Sequence, residues 1–145
     1  MKFTLSEAME KSSILKEEFN SDIKKNAIDL IEKINSLDCP FPRFVSSFIR
    51  SPARQIEIYK QKARNKKVPF ENGVFDISKV PLKSQHLFGR AIDIKDTDGK
   101  LKKWLLNNVD KMERAGLYAE DFKFTKTWVH LQSTPVKSGK RFFIP

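Results

Sequence analysis

Between Ser21 and Leu37 the apolar residues Ile23, Ala27, Leu30, Ile31 and Ile34 recur at helical spacing, while Lys24, Lys25, Asp29 and Lys33 take the other face. This pattern predicts an amphipathic helix. A shorter helix is predicted over residues 5–18. Cys39-Pro40-Phe41-Pro42 then ends helical structure, because proline disfavours the helical state of the residue before it. Phe44 to Ile49 is an apolar, β-branched run that predicts a strand, and Ser51-Pro52 is a helix cap with proline at the first helical position. The helix it opens runs to about Arg64. Residues 65–83 hold Asn72-Gly73, Pro69 and Pro81 and few periodic apolar positions, which predicts a loop of a length that is often functional. Arg90 to Lys95 alternates as a strand, with Ala91, Asp93 and Lys95 on one face and Ile92 and Ile94 on the other. Asp96 to Gly99 makes a turn. Leu101 to Ala115 predicts one helix with Trp104, Leu105, Val109 and Met112 inward and Gly116 as its stop, and Trp128 to Gln132 predicts the last strand.

Helices first, then strands interleaved with a long helix, predict an α+β domain whose small, mostly antiparallel sheet is flanked by helices. With 145 residues the chain is long enough for one domain with a real core and too short for two ordinary ones. It divides into a helical N-terminal part (1–40), a core (44–132) and a C-terminal extension (133–145). Apolar residues make up 39% and charged residues 32%, with twelve Phe and two Trp, the composition of a folded chain rather than a disordered tail. No internal repeat or low-complexity segment is present.

A net charge of +10 favours anionic partners, whether nucleic acid, acidic membranes or anionic cell-wall polymers. It does not choose among them, and a plain solvated basic surface is an equal explanation. The lack of any block of five or six contiguous basic residues argues against nucleic acid. Cys39 is the sole cysteine, which excludes an internal disulfide and a paired-thiolate metal site and fits synthesis in a reducing cytosol. The first twenty residues carry acidic groups every few positions and no apolar stretch of a secretory signal, and no run is long enough to span a membrane.

Chemistry concentrates in Ser84-Gln-His86-Leu-Phe-Gly89-Arg-Ala91-Ile-Asp93. His86 at a loop end offers an imidazole nitrogen and Asp93 on a strand offers an oxygen. Gly89 lets the backbone bend so that the two converge. In the strand Trp128-Val129-His130-Leu131-Gln132, Val129 and Leu131 face the core, and Trp128, His130 and Gln132 share the face onto which Asp93 projects from a neighbouring strand. Taken singly, each ligand is more simply read as a hydrogen-bonded histidine or a salt-bridged aspartate. Taken together, the only two histidines and one carboxylate are the ligand set of a zinc site whose fourth position is open to water, the arrangement of a catalytic metal.

The pattern S-x-H-x-x-G-x-A-x-D at Ser84, His86, Gly89, Ala91 and Asp93, followed by W-x-H at Trp128 and His130, resembles the zinc peptidases of the bacterial cell wall. These include D-alanyl-D-alanine carboxypeptidases, D-Ala-D-Ala dipeptidases and phage L-alanyl-D-glutamate endolysins. Ser47-Phe48-Ile49-Arg50-Ser51 is similar to that family's S-x-Y-R-S segment, so the resemblance extends from about Phe44 to Gln132. It implies a hedgehog/DD-peptidase-like fold, zinc on His86, Asp93 and His130, and a substrate groove lined by Ser84 and Trp128. It also implies that the Arg50 guanidinium holds a substrate carboxylate or carbonyl. A structural ion pair is the equal alternative for Arg50.

The family usually has Asp or Glu three residues before its last histidine, as general base and then acid. Here that residue is Thr127, whose hydroxyl has no useful pKa near neutrality. Glu120 and Asp121, placed on the preceding turn, are the nearest acids in sequence. Glu120 is the one taken for the catalytic role, against the alternative of a solvated surface carboxylate. The sequence therefore predicts a zinc peptidase acting on peptidoglycan stem peptides at the cell wall or periplasm, as a phage or prophage lysis protein. The alternative is a zinc-binding wall-binding or virion structural module that has lost the catalytic acid. Specific nucleic-acid binding has only the charge in its favour.

Overall fold

The computed structural model describes residue 2 and residues 4–145. Its helices are α1 (Leu5–Met9), α2 (Ser21–Asn35), α3 (Pro52–Arg64), α4 (Lys100–Leu106) and α5 (Val109–Ala115). Its strands are β1 (Phe44–Ser47), β2 (Ala91–Lys95), β3 (Tyr118–Glu120), β4 (Trp128–Gln132) and β5 (Phe142–Phe143). They form one five-stranded sheet in the order β1-β2-β4-β3-β5. The β1–β2, β2–β4 and β3–β4 pairings are antiparallel and β3–β5 is parallel. The architecture is the α+β class expected, with a mixed sheet.

Ile92 and Ile94 of β2 and Val129 and Leu131 of β4 are fully buried, in one cluster with Ala27, Leu30, Ile31 and Ile34 of α2, Leu101 and Leu105 of α4 and Met112 of α5. The helical stripe and the strand alternation thus close on each other, as the two periodicities require. One sheet face is consumed by the core, and the other remains for chemistry.

Three expectations are corrected. The helix over 5–18 stops at Met9, because Ser12 and Ser13 pair instead with the segment after β1. The Ser12 hydroxyl accepts from the Ile49 N–H at 3.1 Å, and the Ser13 N–H donates to the Ile49 carbonyl at 2.8 Å. The strand from Phe44 ends at Ser47, after a register irregularity between Val45 and Ser47, and Phe48 and Ile49 turn into the interior. The single helix over 101–115 is two. The Asn108 side-chain amide donates to the Trp104 carbonyl at 2.7 Å, taking the acceptor that the Asn108 N–H would use in a continuous helix. The C-terminal extension holds β5, which completes the sheet.

Candidate metal centre

The strand registers bring one row of residues across the open face. Asp93 of β2 lies opposite Ser47 of β1 on one side and His130 of β4 on the other. Tyr118 pairs with Gln132 and Ala119 with Leu131, so the same register sets Glu120 opposite His130, and Glu120 pairs in turn with Phe143 of β5. Directly opposed residues share a face. Asp93, His130 and Glu120 therefore stand side by side on three adjacent strands, with the Phe143 ring edge-on to the His130 ring at 6.0 Å.

His86 reaches this row from the short 3-10 turn Gln85–Phe88. The Ser84 hydroxyl caps that turn, accepting from the His86 N–H at 3.4 Å. Gly89 ends it in the left-handed region at φ 73°, and a Cβ there would lie 2.8 Å from the Ile23 carbonyl oxygen of α2. Glycine is required both for the turn and for its approach to α2. His86, Asp93 and His130 each offer a ligand atom within 4.8 Å of the others. His86 Nε2 is 3.3 Å and His130 Nδ1 3.1 Å from the same Asp93 oxygen, Oδ1.

The remaining ring nitrogens decide what these contacts are. His86 Nδ1 donates to the Phe48 carbonyl at 2.6 Å, which leaves a lone pair on Nε2. The Gln132 amide nitrogen donates to the Thr134 carbonyl at 2.6 Å, so its Oε1 faces His130 and accepts from Nε2 at 2.9 Å. That leaves a lone pair on His130 Nδ1. With both imidazoles neutral, three lone pairs point at one place, and a cation is the group that makes the arrangement favourable. Donors about 2.0–2.1 Å from a tetrahedral zinc lie roughly 3.3 Å apart, which matches the two nitrogen–oxygen distances. The residues present fit a divalent ion.

Residues 16–139 match the family model VanY, D-alanyl-D-alanine carboxypeptidase. The chain belongs to this family. Neither the curated proteins nor the solved structures provide a match to it. Membership in the VanY family points to a carboxypeptidase-type peptidase of the bacterial cell wall, as the motif resemblance implied. Among the described residues no helix is long and apolar enough to cross a membrane.

In this VanY-family chain the electrostatics follow the geometry. Burial would raise the Asp93 carboxyl, but bonds and charge from His130 and His86 hold it far below the usual carboxylate range. His86 is shifted down, chiefly because burial disfavours its cation. For His130 burial also pulls downward, but Asp93, Gln132 and Glu120 outweigh it and the net shift is upward. Glu120 is shifted up, first by burial and further by the Asp93 charge, against the pull of His130 and Lys62. It sits on β3, not on a turn, and is a half-buried member of the row, not a solvated carboxylate.

The ion pair left open for Arg50 is present: Nη2 lies 3.3 Å from Asp93 Oδ2. Its Nε donates to Ser47 at 3.1 Å and its Nη1 to Gln55 Oε1 at 3.3 Å. Trp128, half-buried, shares the face of His130, opposite Lys95. Thr127 is exposed, and its carbonyl accepts from the Asp96 N–H at 2.8 Å. Asp121 turns away, accepting from the Lys123 N–H at 3.1 Å. Sequence reasoning missed the Phe48 carbonyl, the clamp role of Gln132, and the wall formed by α3. On that wall Gln55, Tyr59 and Lys62 recur at helical spacing, and Gln55 bonds to Arg50. The 3.6 periodicity of these polar residues was the available signal. A cleft of about 1040 Å³ between α1, β1 and the start of α4 contains none of these residues.

Proposed function

We propose that this chain is a zinc-dependent peptidase that hydrolyses a peptide bond in peptidoglycan stem peptides, in a hedgehog-like domain, serving as a phage or prophage lysis protein. The observation that carries the reading is the row Asp93, His130, Glu120 with His86 closing on it. It supplies three metal ligands and an adjacent carboxylate with a raised pKa. A zinc ion on His86, Asp93 and His130 supplies Lewis acidity towards the scissile carbonyl and a nucleophile from water at neutral pH. Glu120, the neighbour of His130, takes the proton of the attacking water on its carboxylate and passes it to the leaving amine, the part that Thr127 cannot play. Arg50 pairs with Asp93 and offers its guanidinium to a substrate carbonyl or carboxylate. Ser84 and Trp128 border the groove. The +10 charge holds the protein on an anionic wall.

A second reading, a zinc-binding wall or virion module without activity, is favoured by Thr127. The two separate when purified peptidoglycan is incubated with wild type, Glu120→Gln and Thr127→Asp. Release of free amino groups by wild type, abolished by chelator and reduced by about 10²-fold or more in Glu120→Gln, is the outcome expected for a general base. No release by wild type, with activity appearing only in Thr127→Asp, overturns the first reading in favour of the second.

A further inference from the structure

α3 aligns Gln55, Tyr59 and Lys62 at i, i+4 and i+7, one helical face. Gln55 anchors that face to the site by accepting from Arg50 Nη1 at 3.3 Å and donating to the Pro81 carbonyl at 3.2 Å. The Tyr59 ring packs edge-on against the fully buried Phe70 at 6.2 Å. Lys62 Nζ in turn rests 4.4 Å from the centre of the Tyr59 ring. The ammonium is thus held on an aromatic platform. It is half-buried, and among the described residues it forms no ion pair within 4.0 Å. Burial chiefly lowers its pKa, with Arg50 and Lys67 adding to the shift and Glu120 opposing it, and it lies on the α3 face that Gln55 ties to Arg50.

The local charge is unbalanced. Arg50 pairs with Asp93, Glu120 stands beside His130 on the next strand, and Lys62 follows Gln55 along the α3 face that bonds to Arg50. A divalent ion on Asp93 leaves these two carboxylates outweighed by the surrounding cations. A half-buried ammonium without a carboxylate partner, beside such a centre, is stabilised by an anionic group brought by a ligand.

We propose that Lys62 binds a carboxylate of the substrate beside the metal centre and makes α3 the charge-reading wall of the site. This rests on the peptidase reading above. Lys62 acts as a specificity residue. The carboxylate has two sources in stem peptides: the C-terminus of the residue being released, or the free α-carboxylate of a γ-linked glutamyl residue next to an internal bond.

Two peptide pairs distinguish them with the zinc-loaded protein: a peptide ending in D-Ala-D-Ala as free acid or C-terminal amide, and an L-Ala-γ-D-Glu peptide with its α-carboxylate free or amidated. Wild type is expected to prefer the acid over the amide in one pair by about tenfold in kcat/KM, carried mainly by KM, the scale of one charge-assisted hydrogen bond. Lys62→Met, which keeps the apolar stem, is expected to bring that ratio to about one, and Lys62→Arg to restore it. The responding pair identifies the source. An unchanged acid-to-amide ratio in Lys62→Met for both pairs overturns the proposal. Without turnover by wild type the same ratios are read as Kd by calorimetry. A Lys62-dependent preference then supports the carboxylate site although the peptidase reading has failed, and its absence overturns both.

Discussion

Gln132 is the side chain through which the ligand geometry of His130 is most open to perturbation. Its Oε1 takes the His130 Nε2 proton at 2.9 Å while its amide nitrogen is tied to the Thr134 carbonyl at 2.6 Å, and the residue is only 5% exposed. Gln132→Leu keeps the volume and removes the acceptor. It leaves a buried ring N–H unsatisfied, at about 1–3 kcal/mol, and frees the imidazole to change tautomer or rotate. Loss of such an orienting partner lowers metal affinity by roughly 10–100-fold, or about 1.4–2.7 kcal/mol. Gln132→Glu retains an acceptor, adds a charge that makes His130 a stronger donor, and is expected to bind zinc at least as well as wild type. Competition against a chromophoric chelator at neutral pH measures all three proteins, and thermal melting of the metal-free forms reports the stability cost. Wild-type zinc affinity in Gln132→Leu would refute the argument that Gln132 sets the His130 tautomer.

Gly89→Ala forces a left-handed residue at φ 73° and puts a Cβ 2.8 Å from the Ile23 carbonyl. The expected loss is about 2 kcal/mol or more, visible as a lower Tm and weaker zinc binding, and an unchanged Tm counts against it. Zinc binding is also expected to depend on pH in one direction. His130 holds its proton more tightly than an ordinary imidazole and His86 less tightly, so ion binding releases the His130 proton and affinity falls as pH falls through the raised His130 value. Calorimetry in buffers of different ionisation enthalpy checks this, and binding without proton release contradicts it. In the metal-free protein the pair works in both directions: Asp93 contributes stability, full above its unfolded value of about 3.9, that is lost as pH falls through its lower folded value. His130 contributes stability below its unfolded value of about 6.5 that is lost as pH rises through its higher folded value.

The candidate metal ligands were legible because both strands that carry Asp93 and His130 obey the alternation of two. Ile92 and Ile94, with Val129 and Leu131, are driven into the core, and Asp93 and His130 are left on the one free face. Glu120 was picked out by distance along the chain, but the strand that carries it was not legible. Tyr118–Glu120 and Phe142–Phe143 are too short to show a period, and each exists because a longer neighbour offers its edge. The break between α4 and α5 was hidden for the opposite reason: both halves continue one apolar stripe, and only the Asn108 side chain interrupts the backbone ladder. The polar face of α3 reads as a solvated helix surface until Gln55 is seen bonded to Arg50.

The central claim is that one ion on His86, Asp93 and His130 enables Glu120 and Arg50 to act on a peptide bond. It is tested most directly by titrating metal-free protein with zinc while native mass spectra and amine release from peptidoglycan are recorded on the same samples. The account predicts that both signals rise together and level off at about one ion per chain, and that His130→Ala abolishes both. Amine release that persists in chelator, or protein that takes up no ion, would contradict it.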